Sequence, residues 1–348
     1  MENNSRIKRA AKRAIDSEQL NIVYLGGAVT EGYVPGKGIV RENYVQMSFD
    51  HFCKKTGNDH CLLSNLGFSG EDPFMGLSLT DRYYNKEEPD IVFLEFALSS
   101  NDDDEESCLA FEGLIRKFYD TKKKTAIVVL ILPDINKETP SFIKETADYY
   151  ELCVIDIAAD YKEKIKKKLM KKSDVFLDSG YPSLDGHKYF ANCIAAFYSR
   201  VWRDRLMKES PAPKMPLFSD IYKDYRFIGF NWIRDITIQG FDFTERNELF
   251  PKMLTSNGAD MSVVSFTVRF STLFLIYEGS ANINCGDLQI YVDNSYTDNI
   301  SGYQTGGWEN PKIKMICRND SEAFHDVKIV MKNNDRKRFI NLFGIGII

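Results

Sequence analysis

The stretch that decides the fold is residues 21–33, NIVYLGGAVTEGY. An apolar, β-branched run ends at Leu25, and the glycine pair Gly26-Gly27 follows it. This pattern predicts a buried strand that stops in a tight turn. In α/β sheets, turns at the carboxyl ends of the strands are where ligands bind. The residue at this turn is Ala28, whose methyl side chain offers no nucleophile.

The first 207 residues alternate between strand-like and helix-like segments. Short runs rich in Ile and Val are expected in strands that are buried on both faces. The alternation predicts an α/β fold, a three-layer α/β/α sandwich with a mainly parallel sheet. The predicted strands are 21–25, 61–66, 91–97, 125–132 and 153–158, and the predicted helices are 3–17, 40–56, 75–86, 106–121, 139–150, 159–171 and 184–206.

The composition changes after the last predicted helix. Residues 209–216, ESPAPKMP, contain three prolines and are typical of a linker. Short strand-like runs with Gly, Asn and Asp between them then predict an all-β, jelly-roll-like sandwich. The predicted domains are 1–208 (α/β), 209–216 (linker) and 217–348 (β-sandwich), and the C-terminal strands are 262–270, 273–279, 288–294, 313–317, 326–332 and 339–348.

Charge and hydropathy argue against nucleic acid and membrane as partners. The 348 residues carry a net charge of −5, and phosphate binding needs a clustered Lys/Arg surface. The basic run at 162–172, KEKIKKKLMKK, has helical spacing with Ile165 and Leu169 on one face, and is predicted to be a solvated helix face. No stretch reaches the length of a membrane-spanning helix, and the N-terminus lacks the apolar core of a signal peptide.

The seven cysteines are scattered, odd in number and without CxxC pairs. They predict reduced thiols in a cytoplasmic protein rather than a disulfide framework or a zinc site. There are only four histidines, so few residues can serve as a base. No cofactor and no metal site are predicted, and no feature indicates an oligomeric state.

Four short motifs lie at predicted strand ends or before the last helix. In order and spacing they resemble the four sequence blocks of the SGNH, or GDSL-type, hydrolases over the first 207 residues. The C-terminal sandwich resembles the β domain that some carbohydrate esterases of this kind carry. The resemblance implies a carboxylic-ester hydrolase for a small acylated ligand, with a carbohydrate as the expected class. The motifs are GGAVTEG (26–32), NLGFSG (65–70), EFALSSND (95–102) and DSGYPSLDGH (178–187).

The resemblance also implies roles for individual residues, and two of these residues are substituted. The first block of the family carries a serine nucleophile, and that position is Ala28 here. The fourth block is Asp-x-x-His, in which Asp178 matches the Asp and Tyr181 stands at the position of the base. Loss of one member of a Ser-His pair lowers turnover by about 10⁶-fold. Tyrosine, with an ordinary pKa of about 10, does not replace the base at neutral pH.

The oxyanion hole of the family is matched in part. Gly70 corresponds to the glycine of the second block, whose backbone N–H faces the oxyanion. The asparagine of the third block falls at Ser99, or at Asn101 if two residues are inserted. One oxyanion donor is therefore retained, and the second depends on the alignment.

Three further residues are expected beside the pocket as ligand contacts, namely Gly27, Ser69 and His187. His187 matches a Gly-His pair that the family often carries at the start of its last helix. Its alternative role is a structural hydrogen bond. Ser69 or Ser99 together with His187 would be needed for a rearranged catalytic site.

Two functions remain open at this point. The first is an active esterase or acyltransferase that uses a rearranged site, or an active enzyme in which Ser was engineered to Ala at position 28. The second is an inactive binding or scaffold protein, a pseudoenzyme, and the residues at positions 28 and 181 favour it.

Two further segments each have two interpretations. The acidic run 102–106 holds a cation or, as the favoured alternative, is a solvated loop. The aromatic residues Tyr296, Tyr303 and Trp308 stack on sugar rings or, as the favoured alternative, close one end of the sandwich.

Overall fold

The computed structural model describes residues 4–84, 88–100, 104–203, 213, 215–246, 250–305, 307–332 and 338–348. These residues form two compact units. The first comprises Met1–Gly76 and Tyr83–Lys223, and the second comprises Leu77–Arg82 and Asp224–Ile348. The domain bounds expected from the sequence, 1–208 and 217–348, stay a prediction.

The first unit is built of helices around a parallel sheet. Its strands are β1 (Asn21–Gly26), β2 (Tyr33–Val34), β3 (Gly38–Ile39), β4 (Leu62–Asn65), β5 (Ile91–Glu95), β6 (Ala126–Ile131) and β7 (Cys153–Asp156). Its helices are α1 (Ser5–Ile15), α2 (Ala28–Glu31), α3 (Tyr44–Thr56), α4 (Pro73–Tyr84, of which 77–82 belong to the second unit), α5 (Glu105–Tyr119), α6 (Ser141–Tyr149), α7 (Ile157–Lys166) and α8 (Leu184–Arg203).

The main sheet has the order β4-β1-β5-β6-β7, and all of its pairings are parallel. Successive side chains of a strand point to opposite faces. Ile22 and Tyr24 of β1 belong to the core that contains α1, α3 and α8, while Val23 and Leu25 are buried outside that core. Both faces of the sheet are therefore covered, and the predicted α/β fold class is confirmed.

Two helices differ from their predicted bounds for local reasons. Helix α3 begins at Tyr44 rather than at residue 40, because the Asn43 side chain caps it and accepts the Gln46 N–H at 3.1 Å. Helix α7 ends at Lys166, and Lys168 has a left-handed φ of 58° that stops further helix. The basic run is therefore only partly helical, and Leu169 is exposed. Within the described residues, no helix combines the length and apolar composition that crossing a membrane requires.

Apart from residues 77–82 of α4 and one 3₁₀ turn, the regular structure described in the second unit is β-strand, and its strands form one antiparallel sheet. The order is β10-β11-β16-β12-β15-β13-β14, with β8 paired to β16 and β9 to β12. The strands are β8 (Arg226–Ile228), β9 (Thr237–Gln239), β10 (Phe241–Thr244), β11 (Met253–Ser256), β12 (Met261–Ser280), β13 (Asp287–Val292), β14 (Ser295–Ser301), β15 (Trp308–Lys332) and β16 (Asn341–Ile347).

Two pairs of predicted C-terminal strands are each one continuous strand. Residues 262–270 and 273–279 both lie in β12, and residues 313–317 and 326–332 both lie in β15. The register between β12 and β15 shifts at Phe270/Thr272 and again at Leu273/Phe274, so bulges bend the strands without ending them. The predicted all-β C-terminal domain is confirmed, and its jelly-roll topology stays a prediction.

Candidate ligand-binding site

A cavity of about 280 Å³ lies in the first unit beside the carboxyl ends of β1, β5 and β6. Its walls come from the turns that follow these strands and from the segment before α8. Ligands of open α/β sheets bind at this edge, so the cavity is the candidate site. The described lining residues are Gly27, Ala28, Val29, Gly70, Glu71, Glu95, Leu98, Ser99, Pro133, Asp134, Asn136, Phe176, Ser179, Gly180, Tyr181, Pro182 and Phe190.

The turn after β1 depends on close packing at Gly26. A Cβ at this position would lie 2.4 Å from Thr30 Oγ1 and 2.5 Å from the Glu95 carbonyl oxygen. Only glycine permits this approach between the elbow and β5. Helix α2 then begins at Ala28, which lines the cavity. The position that the resemblance assigns to the nucleophile thus presents a methyl group.

The second and third blocks bring two residues to the cavity. Gly70 lines it with a φ of 85°, a left-handed conformation that favours glycine. Ser99 also lines it. Ser69 does not line it, and its backbone N–H and its Oγ both donate to the Glu31 carboxylate, at 2.9 and 2.5 Å. Asn101 lies outside the described residues.

The fourth block is divided between the cavity and the surface. Tyr181 lines the cavity, is 38% exposed, and packs edge-on against Tyr33 with ring centroids 5.3 Å apart. Asp178 is exposed and does not line the cavity. Its carboxylate has no hydrogen-bond or ion-pair partner in the part of the chain that the structure describes. Only Tyr181 of this pair is therefore at the site.

His187 is completely buried near the start of α8 and does not line the cavity. Its Nδ1 accepts the backbone N–H of Tyr44 at 3.3 Å, and its ring stacks on the Tyr44 ring. Nε2 therefore carries the proton, and it has no partner among the described residues. Burial lowers the pKa of His187 to about 4, so the ring is neutral at pH 7. These contacts are those of a structural hydrogen bond between α8 and α3.

Two buried glutamates that the sequence analysis did not single out line the cavity. Glu95, at the end of β5, accepts a hydrogen bond from Thr30 Oγ1 at 3.0 Å, while its Oε1 has no partner among the described residues. Neither oxygen of Glu71 accepts a well-aligned hydrogen bond in that part of the chain, although the Gly26 N–H lies nearby. Burial raises the pKa of Glu95 to about 7 and the pKa of Glu71 well above its ordinary value. The available signal was Glu95 inside the apolar run IVFLEFA, because a buried charge is costly.

The described residues of the acidic run do not line this cavity. Asp102 and Asp103 are outside the described residues, while the Asp104 side chain caps α5 and accepts the Ser107 N–H at 3.0 Å. No group of three or more His, Cys, Asp or Glu among the described residues is arranged to hold a metal ion. The C-terminal aromatic side chains do not fill the core, since the exposed fractions of Tyr296, Tyr303 and Trp308 are 59%, 43% and 60%.

The described residues form an α/β domain that carries the candidate site, followed by a domain built mainly of β-strands. No protein-family model and no curated protein sequence matches the chain. A solved two-domain esterase active on acetylated mannans is 20% identical, with a TM-score of 0.85 over 99% of this chain and 95% of that chain. Such an esterase co-crystallised with mannopentaose has a TM-score of 0.84 at the same identity and coverage. The resemblance to SGNH-type carbohydrate esterases with an appended β domain is thus confirmed for the fold.

Proposed function

We propose that the protein binds an acylated carbohydrate in this cavity and does not hydrolyse it by a Ser–His route. One observation carries the proposal: no histidine lines the cavity among the described residues, and the elbow presents the Ala28 methyl group. Without a nucleophile and a base, acyl transfer loses the pair of groups on which it depends. The solved esterases of the same fold act on acetylated mannans, which supports a carbohydrate as the ligand class.

The size and lining of the cavity suit one sugar unit. Its volume of about 280 Å³ is near the lower end of the range for small-molecule sites, roughly 300–1,000 Å³. Leu98, Phe176 and Phe190 give it apolar surface, while Ser99 and Asn136 give it hydrogen-bonding groups. A sugar presents both kinds of surface, an apolar ring face and hydroxyl edges.

The rearranged esterase is the weaker alternative. Ser69 donates to Glu31. His187 is buried, neutral at pH 7 and bonded to the Tyr44 backbone. Asp178 is exposed, and it contacts no base in the described part of the chain that its carboxylate could orient.

The seven free cysteines further support a reducing compartment, so we include a cytoplasmic location in the proposal.

The proposal is tested by measuring binding and turnover on the same protein. We expect calorimetry to detect saturable binding of acetylated manno-oligosaccharides. We also expect p-nitrophenyl acetate to be hydrolysed at the buffer rate by the parent chain. The double variant Ala28→Ser/Tyr181→His should hydrolyse p-nitrophenyl acetate faster than either single variant, because each single variant lacks one member of the Ser–His pair.

Two results would overturn this proposal. One is parent turnover well above the buffer rate that Ser99→Ala abolishes, which would establish a rearranged esterase. The other is the absence of any sugar binding at millimolar concentration by a folded parent chain. The single variant Ala28→Ser is the matched control, since it restores the hydroxyl without a base.

A further inference from the structure

Three carboxyl oxygens at the cavity lack a partner among the described residues. They are both oxygens of Glu71 and Oε1 of Glu95, which accept no well-aligned hydrogen bond although backbone N–H groups lie near both carboxyls. The two side chains are 0% and 1% exposed, and both residues line the cavity. Buried polar atoms are almost always hydrogen-bonded in native proteins, and leaving one unpaired is costly. A ligand that donates hydrogen bonds would satisfy these oxygens.

The cavity is also acidic. Asp134 lines it together with Glu71 and Glu95, and no Lys, Arg or His does so among the residues that the structure describes. Lys137 lies near Glu95, but it does not line the cavity, and its Nζ donates to the Ser100 carbonyl at 2.7 Å. A site with this charge distribution attracts a cation and repels an anion.

The charged groups around the two glutamates explain their protonation. Besides burial, Asp72, Glu95 and Glu31 raise the pKa of Glu71, while the nearby Gly26 N–H acts in the opposite direction. Burial and the neighbouring carboxyl groups therefore favour the neutral form of Glu71 in the unliganded protein.

For Glu95, burial is the main cause of the raised pKa. The Thr30 hydroxyl, the N–H groups of Leu98 and Gly27, and Lys137 each lower it. Glu95 therefore changes charge near pH 7. An opposite charge at about 4–6 Å favours the ionised form of a carboxyl group, so a bound cation would displace protons from this site.

We propose that the ligand of this cavity carries a protonated primary amine that binds against Glu71 and Glu95, as in a sugar with a free amino group. An ammonium group offers three N–H donors and a positive charge, which matches three unpaired oxygens. A neutral hydroxyl offers a single donor and no charge. The inference deepens the proposed function and rests on it for the assignment of the cavity to a carbohydrate.

The test compares glucosamine with glucose and N-acetylglucosamine by calorimetry at about pH 5.5 and about pH 7. We expect glucosamine to bind at least about tenfold more tightly than either neutral sugar at pH 7. We expect the affinity for glucosamine to be at least about tenfold higher at pH 7 than at pH 5.5. Below the pKa of a carboxyl group, each proton that the bound ammonium displaces changes the affinity by about tenfold per pH unit. The affinity for glucose should change by less than about twofold.

Variants identify the groups responsible. Glu71→Gln and Glu95→Gln should each weaken glucosamine binding at least about tenfold and leave glucose binding within about twofold. Glu42→Gln, at an exposed acidic residue, is the matched control and should change neither. Circular dichroism confirms folding, and Glu95→Asp provides a second variant that keeps the charge but withdraws it by one methylene.

The outcomes separate this inference from the proposed function. Equal binding of glucosamine and glucose would overturn the amine and leave the carbohydrate site standing. Binding of ethanolamine without binding of any neutral or acetylated sugar would support the amine and overturn the carbohydrate function. Competition by Ca²⁺ at equal concentration would overturn the amine in favour of a metal ion. No binding of any of these probes would overturn both.

Discussion

At the scale of single residues, Thr30 connects the elbow to the buried acid of β5. The Tyr44 hydroxyl and Thr30 Oγ1 are 2.8 Å apart, and Thr30 Oγ1 donates to Glu95 Oε2 at 3.0 Å. This chain of hydrogen bonds stabilises the ionised carboxylate, yet burial has the larger effect and raises the pKa of Glu95 to about 7. The ionised form is therefore a source of instability at neutral and alkaline pH.

Replacing Glu95 by Gln should make the protein relatively more stable as the pH rises. The folded-state pKa of about 7 lies above the ordinary value of 4.5, so the wild type loses stability between these two pH values. The Glu95→Gln variant carries a neutral amide at this position, so it does not lose this stability as the pH rises. The difference in unfolding free energy, variant minus wild type, should grow by about 3 kcal/mol across this window.

Urea unfolding of both proteins at about pH 4.5 and about pH 8 measures this difference. Taking the difference between two proteins that both retain His187 removes the contribution of that group. A difference that does not change with pH would contradict the burial of an ionisable Glu95.

At the scale of elements, helix α5 holds a distant segment through one carboxylate. Glu112 is completely buried and accepts the backbone N–H groups of Leu217, Phe218 and Ser219 at 2.5, 2.7 and 2.9 Å. It also accepts the Tyr150 hydroxyl at 2.5 Å. Residues 217–219 are thereby fixed to α5 within the first unit.

Glu112→Gln should lower the free energy of unfolding by about 3 kcal/mol. The amide replaces one acceptor oxygen by a donor, which opposes the N–H groups and leaves at least one of them unpaired. Hydrogen exchange of residues 217–219 should become faster before global unfolding. Glu105→Gln, at an exposed residue of the same helix, is the control and should change stability by less than about 1 kcal/mol. Equal effects of both variants would contradict the role of Glu112.

At the scale of the whole molecule, the cysteines are free and mostly shielded. All seven are described, and none forms a disulfide. Burial raises the pKa of Cys53 to about 12 and the pKa values of Cys108 and Cys193 to about 11. Since the thiolate is the reactive form, these thiols should react slowly in the folded protein.

Alkylation should therefore distinguish the folded chain from the unfolded chain. With iodoacetamide at about pH 8 and no reductant, mass spectrometry should find seven adducts in guanidinium chloride. Cys53, Cys108 and Cys193 should remain largely unmodified over the same time without denaturant. Fewer than seven adducts in the unfolded chain would reveal a disulfide, and rapid native labelling of these three residues would contradict their burial.

The sequence by itself determined the α/β class, the five strands of the parallel sheet and the edge where the cavity lies. These follow from local patterns, because a strand buried on both faces must be apolar along its length and a strand end must turn. The resemblance carried by four short motifs located Ala28, Gly70, Ser99 and Tyr181, which line the cavity. The sequence did not predict that β12 and β15 are each continuous, because a bulge within one strand and a turn between two strands leave similar patterns in the sequence.

Only the tertiary structure decided which side chains meet and which are buried. It placed His187 against Tyr44, left Asp178 at the surface, and put Glu71 and Glu95 at the cavity without partners for three of their oxygens. Thr30 and Glu95 are 65 residues apart in the chain, and no local pattern relates them. The physical reason is that burial, and with it the charge state of a carboxyl or an imidazole, depends on neighbours that the fold supplies from distant segments.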